Sequence, residues 1–379
     1  MLDYEVLKMI WWVLIGVLLI GFALTDGFDM GAMILMPFVG RTDMERRVTI
    51  NTIAPHWDGN QVWFITAGGA LFAAWPMVYA TAFSGFYWAM LLVLFALFCR
   101  PVGFDYRSKI EDKRWRMSWD WALFVGGFVP ALVFGVAFGN LFQGVPFELD
   151  GMMRSTYTGS FFGLLNPFAL LAGVISVALL SLHGGAWLMM RTDGDLADRA
   201  RRASQLCALV YLLGFIGAGA WLILDIEGYR IVSAIDAGAM LNPLHKEVVR
   251  DNLGWLANYS TYPLTILAPI TGLLGGLLAL SSATLGRAVA TFVGSALAIV
   301  GTLCTAGFAL FPFVLPSSLD PAASLTVWDA VSSQRTLGIM FVVACIFVPL
   351  ILAYTLWGYV RMWGKLTHKT IAADPHGLY

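Results

Sequence analysis

Three carboxylates lie within otherwise apolar stretches of the chain. Asp26 and Asp29 stand three residues apart in the segment Thr25–Gly31, a spacing that puts both on one face of a helix. Asp58 lies in a second apolar stretch, about 10 Å along a helix that begins near Asn51. A desolvated carboxyl group exchanges protons near neutral pH, which a strongly ionised surface group does poorly. These residues therefore predict a proton path.

The alternative for these carboxylates is structural, because buried ion pairs also perturb ionisation. Arginines near the membrane interface would then be their partners, and the candidates are Arg41, Arg46, Arg47 and Arg100. Arg100 ends the third apolar stretch and leads into Asp105 and Lys109. A charged cluster of this kind at the mouth of a helix is most often a set of solvated side chains. Both interpretations remain open at this point.

The inventory of metal ligands is poor. Only His56 and His183 fall in apolar stretches, and haem ligation by two side chains needs a facing pair at matched depth. A lone histidine in such a position is more often a hydrogen-bonded core residue. The four cysteines stand singly without C-x-x-C spacing, so neither a zinc site nor a disulfide framework is indicated. We expect no metal bound by this chain.

The composition excludes a soluble protein. Of 379 residues, 59% are hydrophobic and 12% are charged, and the mean hydropathy is +0.75. Soluble domains carry roughly 25% charged residues. The net charge of −1 gives no reason to expect nucleic acid as a partner. The first apolar run follows Asp3 and Glu5 rather than a basic segment, which argues against a cleaved signal peptide.

Nine apolar segments have about the length that crosses a hydrocarbon core. They lie at about 9–38, 51–74, 78–99, 121–143, 164–190, 205–225, 263–284, 288–312 and 337–360. Trp75-Pro76 predicts a reversal after the second, because proline removes a helix donor. With the amino terminus outside and the carboxyl terminus cytoplasmic, nine spans place 17 of the 23 lysines and arginines inside, against 15 for eight spans. Nine spans fit better, and eight stay open.

These spans predict an all-α polytopic membrane protein with a single integral membrane domain over residues 1–379. The longest polar stretches, at about 100–120 and 226–262, are too short to bury a core of their own. Small residues four apart allow helices to approach closely in lipid. Such glycine pairs occur at Gly27/Gly31, Gly135/Gly139 and Gly272/Gly276.

Several long motifs resemble one known family over the whole chain. They are Thr25–Gly31, Ala54–Trp63, Gly68–Pro76, Arg100–Arg107, Phe311–Phe313, Pro316–Ser318, Ser324–Thr326, Trp328-Asp329, Ser332–Gln334 and the terminal Leu378-Tyr379. On these residues the sequence resembles subunit II of the cytochrome bd ubiquinol oxidases.

The resemblance implies a subunit of a terminal oxidase in an aerobic bacterial respiratory chain, located in the inner membrane. Such a complex takes electrons from quinol and reduces dioxygen to water. Subunit I of the family carries haem b558, haem b595 and haem d, whereas subunit II is haem-free, with nine helices in two four-helix bundles plus one peripheral helix. The implied partners are subunit I and small single-span accessory subunits. Some members hold a structural quinone in subunit II, and the sequence leaves that open here.

The family also implies roles for individual residues. Asp58, Asp105, Lys109 and Tyr379 stand where its cytoplasmic proton-path residues stand, and Trp63 matches a position beside an apolar dioxygen route. Further candidates for the proton path are Asp26, Asp29 and Arg100. Protons consumed in making water would enter from the cytoplasm, while protons released from quinol leave outside. Net charge would therefore cross the membrane and build a proton motive force.

Two other functions are compatible with the residues. Carboxylates at membrane depth are also found in proton-coupled secondary transporters, although those usually show two repeated halves, which this sequence lacks. The chain could equally be a purely structural scaffold for subunit I, with no share in proton transfer. Replacement of the carboxylates discriminates between these alternatives.

Overall fold

The chain is an all-α polytopic membrane protein with three small β-hairpins. A computed structural model describes residues 2–240, 242–367 and 370–371, so the predicted proton-path residue Tyr379 lies outside the described part. Its helices are α1 (Tyr4–Val39), α2 (Asp43–Ile53), α3 (Trp57–Ala74), α4 (Pro76–Gly85), α5 (Tyr87–Tyr106), α6 (Lys113–Gln143), α7 (Pro167–Arg191), α8 (Gly194–Leu224), α9 (Ala257–Thr261), α10 (Leu267–Thr284), α11 (Ala288–Leu310) and α12 (Gln334–Arg361).

Eight helices in the described residues are long and apolar enough to cross a membrane: α1, α5, α6, α7, α8, α10, α11 and α12. The second predicted span, 51–74, includes α3 but starts earlier, within α2. Helix α3 has 18 residues, and its beginning carries the polar side chains of Asp58, Asn60 and Gln61. These side chains lower its hydropathy relative to the other long helices. A ninth crossing by α3 stays a prediction.

Helix boundaries differ from the predicted ones around Trp75. Pro76 starts the separate ten-residue helix α4, and the following long helix begins only at Tyr87. The apolar run continues through the break at Phe86, so hydropathy does not reveal it. At its other end α5 runs past Pro101 to Tyr106. Arg100 therefore lies inside the helix, and the point at which the third span ends along α5 stays a prediction.

The long helices form two groups of four, with α12 outside both. In the first group α1 packs against α3 and α6, and α6 packs against α5. In the second group α7, α8, α10 and α11 close a ring, in which each helix contacts the next. α7 joins the groups through its contacts with α1 and α6, and the peripheral α12 packs mainly against α1 and α3.

Helices α1 and α7 cross at glycines on both sides. A Cβ atom on Gly31 would overlap the backbone carbonyl of Leu180, and one on Gly184 would overlap the backbone of Gly31 and Ala32. Without side chains at the crossing, the two backbones touch directly. Lipid supplies no hydrophobic drive for helix association, so such close packing is a main source of stability.

Three antiparallel hairpins cover one end of the helix bundle. They pair β1 (Phe147–Leu149) with β2 (Ser155–Tyr157), β3 (Gly228–Ile231) with β4 (Val248–Asp251), and β5 (Phe313–Leu315) with β6 (Leu325–Thr326). The first helix is tied into this cap by Lys8, which is fully buried. Its ammonium donates to the carbonyls of Ala237, Ala239 and Trp328 at 2.8–3.0 Å.

The opposite end of the bundle carries a network of ion pairs. Arg107 is buried and bonds Asp120 at 2.5 Å and Asp43 at 2.9 Å. Arg46 also bonds Asp120, at 2.8 Å, and Arg116 bonds Asp43 at 2.6 Å. This network fastens α2 to the ends of α5 and α6 at the side that the charge distribution predicts to be cytoplasmic.

Glu45 is a testable part of this end. It forms a capping box with Thr42, accepts a hydrogen bond from the Arg41 N–H and pairs with Arg199 at 2.5 Å. Burial raises the pKa of the Glu45 carboxyl, but Arg199 and the two N–H donors outweigh it and hold the pKa below its ordinary value. The resulting stability is complete above the pKa in the unfolded chain and is lost as pH falls through the lower folded-state pKa.

We expect Glu45→Gln to destabilise the subunit by about 1 kcal/mol at neutral pH, the usual scale for a helix cap. The difference in stability between Glu45→Gln and the wild type should become smaller at acid pH, because the wild-type carboxylate is then protonated. Thermal denaturation of the purified complex across pH measures this, with the exposed Glu111→Gln as control. Parallel stability curves at all pH values would contradict the prediction.

Candidate functional site

Asp26 and Arg100 form a fully buried ion pair between α1 and α5. The guanidinium donates from Nη1 to Oδ2 at 2.9 Å and from Nη2 to Oδ1, so both carboxylate oxygens are engaged. The Arg100 guanidinium also lies 5.6 Å from the ring of Trp57. Of the four arginines considered as partners, the structure thus assigns Arg100 to Asp26. Arg100 is thus buried, apart from the exposed Asp105 and Lys109, and the interpretation as a solvated cluster does not hold for it.

Asp29 lies one turn further along α1 and is also fully buried. Its Oδ2 accepts a hydrogen bond from the Asn60 amide at 2.7 Å. Its Oδ1 has no hydrogen-bond partner among the described residues. On the other side of Asn60, the Tyr359 hydroxyl donates to the amide oxygen at 2.5 Å. A polar line therefore runs from α1 through α3 to α12.

The two buried histidines occupy different surroundings. His183 has both ring nitrogens engaged, with Ser295 Oγ at 2.7 Å and the Leu24 carbonyl at 3.0 Å. It therefore offers no free lone pair to a haem iron. His56 stacks on Tyr359 with ring centroids 4.4 Å apart. Within the described part of the chain, no group of three or more His, Cys, Asp or Glu residues could hold a metal ion.

Asp58 is exposed, contrary to the expectation of a buried carboxylate. It lies on the outward face of α3 together with Val62, Ile65 and Phe72, which are also exposed. Asn60, two residues further, turns about 200° around the helix and faces the core instead. Helix α3 begins only at Trp57, so Asp58 lies in its first turn, and the prediction that it lies about 10 Å along a helix beginning near Asn51 is wrong. The side of the helix that Asp58 faces could not be predicted from sequence either.

Asp105 and Lys109 are exposed at the end of α5 where the ion-pair network lies. They line one shallow surface pocket together with Tyr106, Ile110 and Trp115. The structure thus brings these two predicted proton-path residues together. It places Asp26, Asp29 and Arg100 in a separate, buried site.

Trp63 packs against α1. A Cβ atom on Gly21 would lie 2.7 Å from Cε3 of the indole, so the missing side chain makes room for the ring. The indole is part of an aromatic cluster with Phe22 and Phe64. This contact accounts for Trp63 as a packing residue between α1 and α3.

Two residues of the buried line, Asn60 and Tyr359, could not be selected from the sequence. Asn60 stands beside Asp58, which attracted attention because of its charge, whereas an amide in an apolar stretch carries a weaker signal. Tyr359 falls in the last turn of α12, where an aromatic residue reads as an interfacial anchor. Asn60 and Tyr359 are 299 residues apart in the sequence, so their hydrogen bond becomes visible only in the folded structure.

Comparison of the sequence with known proteins identifies the family. The family model described as "Cytochrome bd terminal oxidase subunit II" matches residues 7–362. The chain belongs to this family. It is 58% identical to "Cytochrome bd-I ubiquinol oxidase subunit 2" of Escherichia coli strain K12 over 379 residues. The match covers the full length of both chains.

A more distant relative supports the family, and a solved structure shares the fold. The chain is 32% identical to "Cytochrome bd ubiquinol oxidase subunit 2" of Bacillus subtilis over 360 residues, covering 95% of this chain and 97% of that relative. A solved chain described as "The structure of bd oxidase from Geobacillus thermodenitrificans" has the same fold, with a TM-score of 0.65 at 14% identity. The match covers 95% of this chain and 100% of that one.

Membership in the bd oxidase family confirms the resemblance inferred from the motifs. The chain is a subunit of a haem-dependent oxidoreductase complex, and a subunit II implies a partner subunit I. The interpretation as a secondary transporter is wrong, because the whole chain matches oxidase subunits.

Proposed function

We propose that this chain is the haem-free subunit of a quinol:dioxygen oxidase and that it conducts cytoplasmic protons towards its partner. Haem b558, haem b595 and haem d would be carried by subunit I, with small single-span subunits attached. The chain is 58% identical, over its full length, to a relative named a ubiquinol oxidase subunit, which supports quinol as the electron donor. The engaged nitrogens of His183 fit a subunit without haem.

The exposed carboxylate of Asp58 carries this proposal. A charge on an otherwise apolar face costs a few kcal/mol or more in lipid, so the face requires a polar partner. The side chain of Asp58 has no hydrogen bond or ion pair within the described residues. Subunit I packed on this face of α3 would cover Asp58, and the carboxyl could then pass protons between the two chains.

Entry of protons would begin at the inner end of α5. Asp105 and Lys109 are exposed there in one pocket, beside the ion-pair network. We place this end in the cytoplasm and the hairpin cap outside, with the amino terminus outside and the carboxyl terminus inside the bacterial inner membrane. Tyr379 would belong to the same path. Protons used to make water would enter the path at this cytoplasmic end. Protons released from quinol would leave on the outer side, so that net charge crosses the membrane.

Replacement of Asp58 by asparagine tests the path. We expect Asp58→Asn to lower quinol oxidase turnover about ten-fold or more, since positioned proton transfer contributes on this scale. The haem absorbance of the assembled complex should stay the same, because the amide keeps the shape of the side chain. Asp195→Asn, an exposed carboxylate in the first turn of α8, is the matched control. Wild-type turnover and proton uptake in Asp58→Asn would refute the path.

A scaffold function is the second candidate, and the Asp26–Arg100 pair favours it. Both groups are fully buried and Arg100 engages both carboxylate oxygens of Asp26, as expected of a structural bond between helices. A pure scaffold predicts that Asp58→Asn either loses assembly or has no effect. Lower turnover in a fully assembled complex is the result that a scaffold does not explain.

A further inference from the structure

The hydroxyl of Tyr359 reaches from the peripheral helix into the buried core. Most of α12 is exposed, and Leu337 is its buried residue. The Tyr359 ring stacks flat on His56 at an interplanar angle of 12°, and its hydroxyl donates to Asn60. The ring thus has a packing role, whereas the hydroxyl makes a specific polar contact.

The contact with Tyr359 fixes the orientation of the Asn60 amide. An asparagine side chain offers one carbonyl acceptor and one amide donor, which exchange places when the group rotates by half a turn. Tyr359 donates to the oxygen, so the nitrogen is directed at Asp29 Oδ2, 2.7 Å away. The ionised carboxylate of Asp29 selects the same orientation, because it can only accept a hydrogen bond. Once Asp29 is protonated, the Tyr359 hydroxyl is the contact in this line that still holds the amide oxygen on its side.

Asp29 is the carboxyl in this site that can change its protonation at least cost. Both oxygens of Asp26 are engaged by Arg100, and protonating Asp26 would leave a buried guanidinium without its counter-charge. Asp29 has one oxygen bonded to Asn60 and the other without a partner in the described residues. A proton can therefore add to Oδ1 without breaking an existing bond.

We propose that Tyr359, acting through Asn60, is a positioning residue that holds Asp29 as the carboxyl where a proton is taken up and released inside this chain. The inference rests on the proposed role in proton uptake and extends it to α12. Asp29 Oδ1 gains the proton and later gives it up, and no other bond changes. The position of α12 would thereby determine how Asn60 is oriented and how it bonds the carboxyl of Asp29.

Charged and titratable groups stand on α1 itself and on helices that pack near Asp29. Asp26 and Arg100 act on Asp29 through their charges. The other such groups on the helices packed nearby are His56, His183, Arg191 and Tyr359. None of them bonds Asp29 Oδ1. Arg191 instead lies between the rings of Trp187 and Trp363, at 5.3 Å from each.

Infrared difference spectra of the intact complex, oxidised against reduced, test the inference. Asp29→Asn should remove a carboxyl stretching band and so identify the signal of Asp29. Tyr359→Phe should shift that band and lower turnover about five-fold, the effect of one lost hydrogen bond. Tyr354→Phe removes an exposed hydroxyl from the same helix and should change neither.

The outcomes separate this inference from the proposed path. If Asp29→Asn removes no band, or if Tyr359→Phe leaves the band in place, the positioning role is overturned, even where Asp58→Asn still lowers turnover. If Tyr359→Phe does not assemble, Asn60→Ser breaks the same line from α3. A shifted Asp29 band in Asn60→Ser supports the inference, and an unshifted one refutes it.

Discussion

Arg100→Leu is expected to lower the free energy of unfolding of the subunit by about 3–5 kcal/mol, because it leaves a buried carboxylate without its counter-charge. Arg100 and Asp26 are both fully buried and bonded through both carboxylate oxygens. The loss approaches the whole stability of many proteins. We expect little assembled complex, measured as the yield of purified oxidase and its thermal denaturation followed by haem absorbance.

Two further variants show whether the unpaired charge causes the loss of stability. Arg114→Leu removes an exposed arginine from α6 and should leave the yield unchanged. Asp26→Leu combined with Arg100→Leu removes both charges and should recover much of the stability, since apolar replacements of a buried pair are often tolerated. A double variant as unstable as Arg100→Leu would show that packing, and not the unpaired charge, causes the loss.

Gly31→Val is expected to prevent folding of the subunit, at a cost of more than about 3 kcal/mol, since overpacking against a backbone has no side chain to move aside. The new Cβ atom would overlap the carbonyl of Leu180 on α7. Gly16 provides a control in the same helix, because a Cβ atom there meets no atom within 4 Å.

Gly16→Val should change the free energy of unfolding by about 1 kcal/mol or less, since helix propensity changes little and slightly favours valine over glycine. Both variants are compared by membrane expression of the subunit and by the melting temperature of the complex. A Gly31→Val complex that melts like wild type would mean that α1 and α7 can separate without loss. The backbone contact would then contribute little to stability.

The helices of this protein were predictable because each crossing segment is apolar almost throughout. The same property hides which side of a helix faces the core. On α3 the inward Asn60 and the outward Asp58 stand two residues apart, and an average over the helix treats them alike. The break at Phe86 was missed for a similar reason, because both sides of it are equally hydrophobic.

The site was predictable only in part. Charges at membrane depth are rare, so Asp26, Asp29 and Arg100 could be selected from residue type alone. The bond between Asp26 and Arg100 was one of several possible pairings. The line from Asp29 to Tyr359 depends on how α12 packs against α1 and α3, which local patterns do not determine.

The buried ammonium of Lys8 has a consequence for biosynthesis. Lys8 is translated more than 200 residues before its three carbonyl partners, which lie at Ala237, Ala239 and Trp328. Until residue 328 has been translated, this ammonium must remain hydrated, because a buried charge without partners is too costly. The amino-terminal end of α1 can therefore reach its final place only after most of the chain has been made, so the cap is closed by one of the last contacts to form.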